Sequence, residues 1–327
     1  MAIISALDEI PDQDLYVDLQ PSLGINLHLK CEGLNFAGSV KLRTAVSMVN
    51  AAERQGLIGP GSTLVESSSG NLGVALSVVA AARSMSFVCV TDPKCNPTTM
   101  KLIRLYGGEV IVMDQPDHSG SYLAARKERV RQLCAERPGH FWLNQYENPA
   151  NWLAHYEATA PMIAKQFPDL DVLFIGAGTG GTLTGCAHYF RDQHPGVQIV
   201  AVDSIGSVNF GHPAGPRHIP GLGASEYMPL INPNLVDDVV RVPEATTVRT
   251  CRQLALHGML LGGSTGTVVC GAIGWLRRHD PEQRLTTVAI APDLGERYID
   301  TIYDDTWVRD RFGDLDRVPG VLLGSEH

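Results

Sequence analysis

Aromatic residues are scarce in this chain: they make up 6% of its 327 residues, against 33 glycines. A composition so poor in rings and so rich in glycine suits an α/β protein with tight turns and close helix–sheet contacts better than a β-sandwich. A run of Lys and Arg is also missing, and the net charge is −9, so nothing tracks a phosphate backbone and no nucleic-acid partner is expected. No apolar stretch reaches the length of a membrane span; the longest lies around residues 74–82. The N-terminus has no basic leader before an apolar segment and carries Asp8, Glu9, Asp12 and Asp14 instead, so no secretory signal is expected. Cys-x-x-Cys pairs are absent. The seven cysteines (Cys31, Cys89, Cys95, Cys134, Cys186, Cys251 and Cys270) are scattered, odd in number and mostly set in apolar runs. They read as reduced, mostly buried thiols of a cytoplasmic protein, with no disulfide framework and no metal site.

Apolar residues form 44% of the chain, enough for a substantial core. They fall into short β-rich runs that alternate with helical stretches. Strands are predicted at residues 25–29, 62–66, 87–91, 108–113, 172–175, 198–203 and 287–291. Helices are predicted at 42–55, 72–82, 97–106, 122–136, 182–190, 246–256 and 267–278. Such alternation implies βαβ units and largely parallel sheets with helices on both faces. Two sets of units imply two lobes, meeting near residues 144–151, where Pro149 and the asparagines mark a connection. The last segment, residues 304–327, is charged and contains glycine, and it reads as a surface arm.

Five motifs carry chemistry. Gly176-Ala177-Gly178-Thr179-Gly180-Gly181-Thr182 lies between a predicted strand and a predicted helix. Glycines there let the backbone approach an anion, and the helix start holds it. The same run contains G-x-G-x-x-G and finds an acid, Asp203, about twenty residues on, as a dinucleotide site would. A purely structural tight turn is the third reading. Ser67-Ser68-Ser69-Gly70-Asn71-Leu72-Gly73 gathers hydroxyls, an amide and a helix start, which suits a carboxylate. Helix capping accounts for one of those serines but not for all three. In Asn35-Phe36-Ala37-Gly38-Ser39-Val40-Lys41-Leu42-Arg43 a lysine opens a helix beside a second basic residue. A lysine in a partly dry, electropositive site has a lowered pKa and can attack a carbonyl, although a lone lysine is more often a solvated one. The remaining two, Leu261 to Thr267 and Asn144 to Asn151, read equally as polar turns.

Taken in order, these motifs resemble those of the fold-type II pyridoxal phosphate (PLP) enzymes, the cysteine synthase, cystathionine β-synthase and serine/threonine dehydratase group, over residues 20 to 303. The resemblance implies an α/β, tryptophan synthase β-like fold with two lobes, each a mostly parallel twisted sheet flanked by helices. The smaller lobe is expected at 35–145 and the larger cofactor lobe at 12–34 with 146–303, leaving 304–327 as a tail. It implies that Lys41 bonds the cofactor and later takes the Cα proton, and that Asn71 meets the ring hydroxyl. Gly178, Thr179, Gly180 and Thr182 correspond to the phosphate cradle, and Ser264 to the serine facing the ring nitrogen. Ser68, Ser69, Asn71, Leu72 and Gln145 correspond to the grip on the substrate carboxylate. Gly295-Glu296-Arg297-Tyr298 is similar to a run near the end of cysteine synthases. A serine at the ring nitrogen cannot keep it protonated as a carboxylate would, which disfavours a long-lived carbanion and couples proton loss to departure of a β substituent, through an α-aminoacrylate. A homodimer acting on small amino-acid substrates, without membrane contact, is implied by the group.

Departures narrow the group. Leu42 and Leu72 stand where cysteine synthases usually carry Asp and Thr. With Ala154-His155-Tyr156 and Thr159-Ala160-Pro161, the chain is most similar to the N-(2-amino-2-carboxyethyl)-L-glutamate synthases of 2,3-diaminopropionate and siderophore biosynthesis. That branch joins O-phospho-L-serine to the amine of L-glutamate. Arg217 is the candidate cation for the phosphate, with a solvated surface arginine as the plain reading. His155 is read as a packed histidine rather than a base. The alternatives are a cysteine or S-sulfocysteine synthase using a sulfur nucleophile, a dehydratase ending in water, and, from another class, a nicotinamide oxidoreductase. The last leaves Lys41 and the serine loop unexplained.

Overall fold

Short aliphatic and β-branched runs become strands, and the longer amphipathic or alanine-rich runs become helices. The computed structural model describes residues 14–118 and 120–315. The chain begins β1 (Tyr16–Asp18), α1 (Gln20–Leu23), β2 (His28–Cys31), α2 (Lys41–Arg54), β3 (Thr63–Ser67), α3 (Asn71–Ala82), β4 (Ser86–Thr91) and α4 (Pro97–Leu105). It continues with β5 (Glu109–Val112), α5 (Tyr122–Glu136), β6 (His140–Trp142), α6 (Pro149–Ala154), a π-helical turn (His155–Thr159) and α7 (Ala160–Gln166). The remainder is β7 (Val172–Gly176), α8 (Gly181–Gln193), β8 (Gln198–Ser204), β9 (Asp238–Val242), α9 (Glu244–Leu256), α10 (Gly263–His279), β10 (Thr287–Ala291) and α11 (Asp305–Phe312).

Six strands make one sheet in the order β1-β2-β10-β7-β8-β9, and four make a second in the order β5-β4-β3-β6. Every pairing is parallel except β1 with β2. Parallel neighbours need crossovers, and the crossover helices cover both faces. Alternation along β7 shows this. Val172 and Phe174 pack with Val269, Ile273 and Trp275 of α10, whereas Leu173 and Ile175 pack with Leu183, Cys186 and Phe190 of α8. In the smaller sheet, Leu64 of β3 joins the core of α2 and α3, while Val65 meets Val130 and Leu133 of α5. The expected α/β architecture is therefore present.

The strand order reverses at β3, which has β4 on one side and β6 on the other, and at β7, which lies between β8 and β10. Such reversals open a crevice at the carboxyl ends of the strands, where ligands of open α/β sheets collect. The serine loop leaves β3 and the glycine loop leaves β7, so topology sends both motifs to crevices.

Three local expectations change. The strand expected at 25–29 starts later, at His28, because Asn26 bonds the 283–285 turn: its backbone N donates to Gln283 Oε1 (2.7 Å) and its Nδ2 to Leu285 O (2.9 Å). The connection at 144–151 is a turn that launches a helix. Asn148 caps α6 by accepting from Ala150 N (3.0 Å), and Pro149 occupies the first helical turn. The segment read as an arm starts as a docked helix, α11, with Asp304 accepting from Trp307 N (2.6 Å) and Val308 packed with Val248, Tyr298 and Ile302. Residues 316–327, and the acidic residues Asp8, Glu9 and Asp12, lie outside the described residues. None of the seven cysteines is bridged, and five are buried. Among the described residues no helix is long and apolar enough to cross a membrane.

Candidate active site

A cavity of about 310 Å³ lies where the loops after β3, β7 and β10 meet. Four helices begin at its wall: α2, α3, α8 and α10 contribute Lys41, Asn71, Thr182 and Ser264 from their first turns. Their N-cap residues are Val40, Gly70, Gly180 and Gly262, and none places a side chain on the first amides. Elsewhere in the chain Asn96, Ser121, Asn148 and Asp304 do cap α4, α5, α6 and α11. A helix start left open presents unpaired N–H groups and the positive end of its dipole, so it draws an anion. At α3 the Ser68 hydroxyl accepts from Gly70 N (3.3 Å) and Gly73 N (3.1 Å), which leaves the Asn71 and Leu72 amides for a ligand. Capping thus accounts for Ser68, while Ser69 lines the cavity.

The glycine positions of the 176–181 loop have no room for a Cβ. A Cβ on Gly178 would sit 2.5 Å from Gly221 O, and one on Gly181 2.0 Å from Asn151 Oδ1. Gly180 takes φ +94°, turning the chain into α8. The loop is braced from behind: Asn209 Nδ2 donates to Gly178 O (3.2 Å), and Asn151 Nδ2 to Thr179 Oγ1 (3.4 Å). Because the atom facing Gly178 is backbone, Gly178→Ala must displace the loop. The expected result is binding of pyridoxal phosphate weakened by about tenfold or more, a change of about 1.4 kcal/mol or greater, measured by equilibrium dialysis. Unchanged affinity would show that the loop does not carry the phosphate.

Lys41 is reached from the cavity and is otherwise enclosed by protein, and burial alone lowers its pKa to about 8. The nearby Arg43 in the sequence suggests a second cause, its positive charge. The structure removes that cause, because Arg43 Nε donates to buried Glu32 Oε2 at 2.8 Å. Glu32 also pairs with Lys30 (3.0 Å), and Lys30 with Asp14, so two cations meet two carboxylates there. The charged amine dominates below about pH 8, and the nucleophilic neutral amine above it. Covalent capture of added pyridoxal phosphate by cofactor-free protein should accelerate with pH and level off above about 8. Stopped-flow absorbance measures this. A rate still climbing toward 10.5 would mean that Lys41 behaves as an ordinary lysine.

His155 is fully buried and bonds three threonines, through Nδ1 to Thr159 Oγ1 (2.9 Å) and through Nε2 to Thr44 and Thr182 Oγ1 (3.3 Å each). Burial, followed by the nearby Lys41 charge, lowers its pKa to about 3, so the ring is neutral. It ties the start of α8 to α2, which matches its reading as a packed histidine.

On the facing wall, Gln145 Nε2 and the Tyr146 hydroxyl both donate to Ser67 O, at 2.8 and 2.9 Å. Beneath them Glu66 accepts from Ser67 N (2.9 Å), Trp142 Nε1 (2.9 Å) and Gln145 N (3.1 Å). Burial raises its pKa to about 7, and the three donors hold it back from rising further. The serine loop is therefore fixed at its base and open at its tip.

Of the residues expected at a site, Lys41, Ser68, Ser69, Asn71, Leu72, Gln145, Gly178, Thr179, Thr182, Arg217 and Ser264 all line this cavity. Gly180 alone stands back, as the hinge of its loop. Arg217 is engaged through Nη1 and Nη2, donating to Leu222 O (3.1 Å) and Ser225 Oγ (2.9 Å), and only its buried Nε lacks a hydrogen-bond partner. The sequence reading missed Arg126. It stands in the wall, 7% exposed, with Nε and Nη1 lacking hydrogen-bond partners. Asp92 forms an ion pair with it, Oδ2 lying 3.4 Å from Nε, but outside hydrogen-bond geometry, so the donors stay unused. A desolvated guanidinium with unused donors is costly unless an anion completes it.

The profile of the family described as "Pyridoxal-phosphate dependent enzyme" matches residues 16–293. The chain belongs to that family. It is 42% identical over 281 residues to the N-(2-amino-2-carboxyethyl)-L-glutamate synthase of Ralstonia nicotianae, covering 85% of this chain and 82% of that one. It is 42% identical over 282 residues to the protein of the same name from Cupriavidus metallidurans, covering 85% and 83%. Among solved structures, that of an O-ureido-L-serine synthase superposes with a TM-score of 0.84 at 35% identity, over 94% of this chain and 99% of the other. The fold is thus that of the fold-type II enzymes, and the glycine loop belongs to a pyridoxal phosphate enzyme rather than to a dinucleotide fold.

The residues present fit pyridoxal phosphate. The open start of α8, with its Cβ-free cradle, can hold the phosphate, and the Lys41 amine can bond the aldehyde. The Ser264 hydroxyl and the Asn71 amide, which line the same cavity, can meet the ring nitrogen and the ring hydroxyl.

Proposed function

We propose that this pyridoxal phosphate enzyme replaces the phosphate of O-phospho-L-serine with the α-amine of L-glutamate, giving N-(2-amino-2-carboxyethyl)-L-glutamate. The observation that carries the choice of leaving group is Arg126, a buried cation with two unpartnered donors in the cavity wall. A phosphate monoester is the anion best matched to such a fork. Two relatives at 42% identity, both named for the glutamate product, support the second substrate.

When bound, pyridoxal phosphate supplies the electron sink for loss of the Cα proton and the β substituent. The chain's own groups do the rest. Ser69, the Asn71 and Leu72 amides and Gln145 grip the substrate carboxylate at the open start of α3. The Lys41 amine, largely uncharged above pH 8, accepts the Cα proton. As the Cβ–O bond breaks, Arg126 takes the charge of the departing phosphate, while Arg217, bonded to Leu222 O and Ser225 Oγ, holds its loop in the cavity wall. The glutamate amine then bonds Cβ and releases a proton, and Lys41 returns its own proton to Cα. Assembly as a homodimer in the cytoplasm, with its thiols reduced, belongs to the same reading.

Phosphate release from O-phospho-L-serine tests it. Steady release that depends on added L-glutamate is expected. Release that ignores glutamate and instead follows sulfide or thiosulfate would favour the sulfur-using synthases.

A further inference from the structure

The run Gly295-Glu296-Arg297-Tyr298 stands out in the sequence, and the chemistry above gives it no part. The structure places it, with Pro292 and Asp293, where three cofactor-facing segments meet. Toward the Lys41 turn, Val40 N donates to Pro292 O (2.7 Å), Leu294 N to Gly38 O (3.3 Å) and Arg297 Nη2 to Ala37 O. Toward the Ser264 helix, Gly262 N and Thr265 Oγ1 donate to Asp293 O at 3.0 and 2.9 Å. Toward α3, Asn71 is held at both ends of its amide: Nδ2 donates to Asp293 Oδ2 (3.1 Å), and Oδ1 accepts from Arg297 Nη1 (2.5 Å).

The chemistry of those two partners fixes the amide. A guanidinium can only donate, so the oxygen of Asn71 must face Arg297, and the nitrogen must face the carboxylate. A flipped amide would set N–H against N–H on one side and oxygen against oxygen on the other. Asn71 Nδ2 keeps a second hydrogen, and the residue lines the cavity. Asp293 is itself 1% exposed and its carboxylate is held by the Tyr298 hydroxyl (2.6 Å) and by Thr265 N (3.4 Å). No space is left for drift: a Cβ on Gly38 would lie 2.5 Å from Arg297 Nη2, and one on Gly262 2.3 Å from the Asp293 carboxyl carbon.

We propose that Asp293 and Arg297 are positioning residues that lock the Asn71 amide in one orientation, donor toward the cavity, and so set the hydrogen bond at the cofactor's ring hydroxyl. The inference rests on the assignment of Asn71 to that hydroxyl. Asp293 has two oxygens for three donors, whereas an Asn there has one oxygen and brings an N–H of its own. Asp293→Asn therefore lets the Asn71 amide turn over, and Arg297→Gln removes the donor that fixes the other end.

The test is the visible absorption spectrum of the holoenzyme, whose bands report protonation and hydrogen bonding at the ring hydroxyl, recorded for wild type, Asn71→Ala, Asp293→Asn and Arg297→Gln. The expected result is that Asp293→Asn and Arg297→Gln reproduce the band changes of Asn71→Ala and bind the cofactor about tenfold more weakly. Arg297→Lys, which keeps a cation but not the fork, should recover part of the wild-type spectrum. Far-UV circular dichroism confirms folding, and if one of the two variants does not fold, the other decides. Altered bands in Asn71→Ala alone would overturn the inference and leave the Asn71 assignment standing. Unaltered bands in Asn71→Ala would overturn that assignment, and the inference with it.

Discussion

Replacing Lys41 with alanine is expected to abolish the covalent, visible-absorbing form of the cofactor and to lower turnover by about a thousandfold or more, the scale expected when a covalent and proton-transferring group is lost. The fold should survive. Lys41 lies at the first turn of α2, where alanine is a good helix former, and the packing of that helix comes from Leu42, Ala45, Met48 and Val49. Removing a group that burial holds near pKa 8 also relieves an unfavourable charge in the cofactor-free protein below that pH. In that range the cofactor-free variant should melt no lower than the cofactor-free parent. Differential scanning calorimetry and visible spectra measure both effects. A coloured, active Lys41→Ala protein would place the reactive lysine elsewhere.

Arg126→Ala should reveal the leaving group. Loss of a desolvated, charge-assisted contact is worth about 2–4 kcal/mol, so kcat/KM for O-phospho-L-serine is expected to fall by about a hundredfold. O-acetyl-L-serine carries no anion at Cβ and should be affected far less by the same change. Arg217→Ala, which removes bonds to Leu222 O and Ser225 Oγ, should affect both substrates alike, because it loosens the loop rather than one contact. Equal losses for the two substrates in Arg126→Ala would show that the arginine supports the wall and does not select phosphate.

The two arginines also show what the sequence made legible. Lys41, Asn71, Thr182 and Ser264 could be found because each stands in a glycine- or serine-marked turn at a helix start, and turns leave a local signature. Arg126 is one of several charged residues within α5, and nothing in its neighbours distinguishes it from Arg129 or Arg131. What singles it out is burial behind β3 and β4 beside Asp92, a contact across 34 positions of chain. The network of Asp293, Arg297 and Asn71 joins residues more than 200 positions apart. The ion pair between Arg43 and Glu32 likewise forms only in the folded chain, so the sequence suggests an Arg43 contribution to the lowered Lys41 pKa that the structure removes. Most strands and helices were legible from periodicity. Those that were not include β1, β6 and β9, which are short or set by their neighbours.

The most direct test of the account is to incubate the purified, cofactor-loaded protein with O-phospho-L-serine, L-glutamate and sulfide together, and to identify the products by mass spectrometry. The expected product is the amino-linked glutamate adduct, N-(2-amino-2-carboxyethyl)-L-glutamate, formed with one phosphate released for each adduct. Cysteine as the product, with no adduct detected, would contradict it.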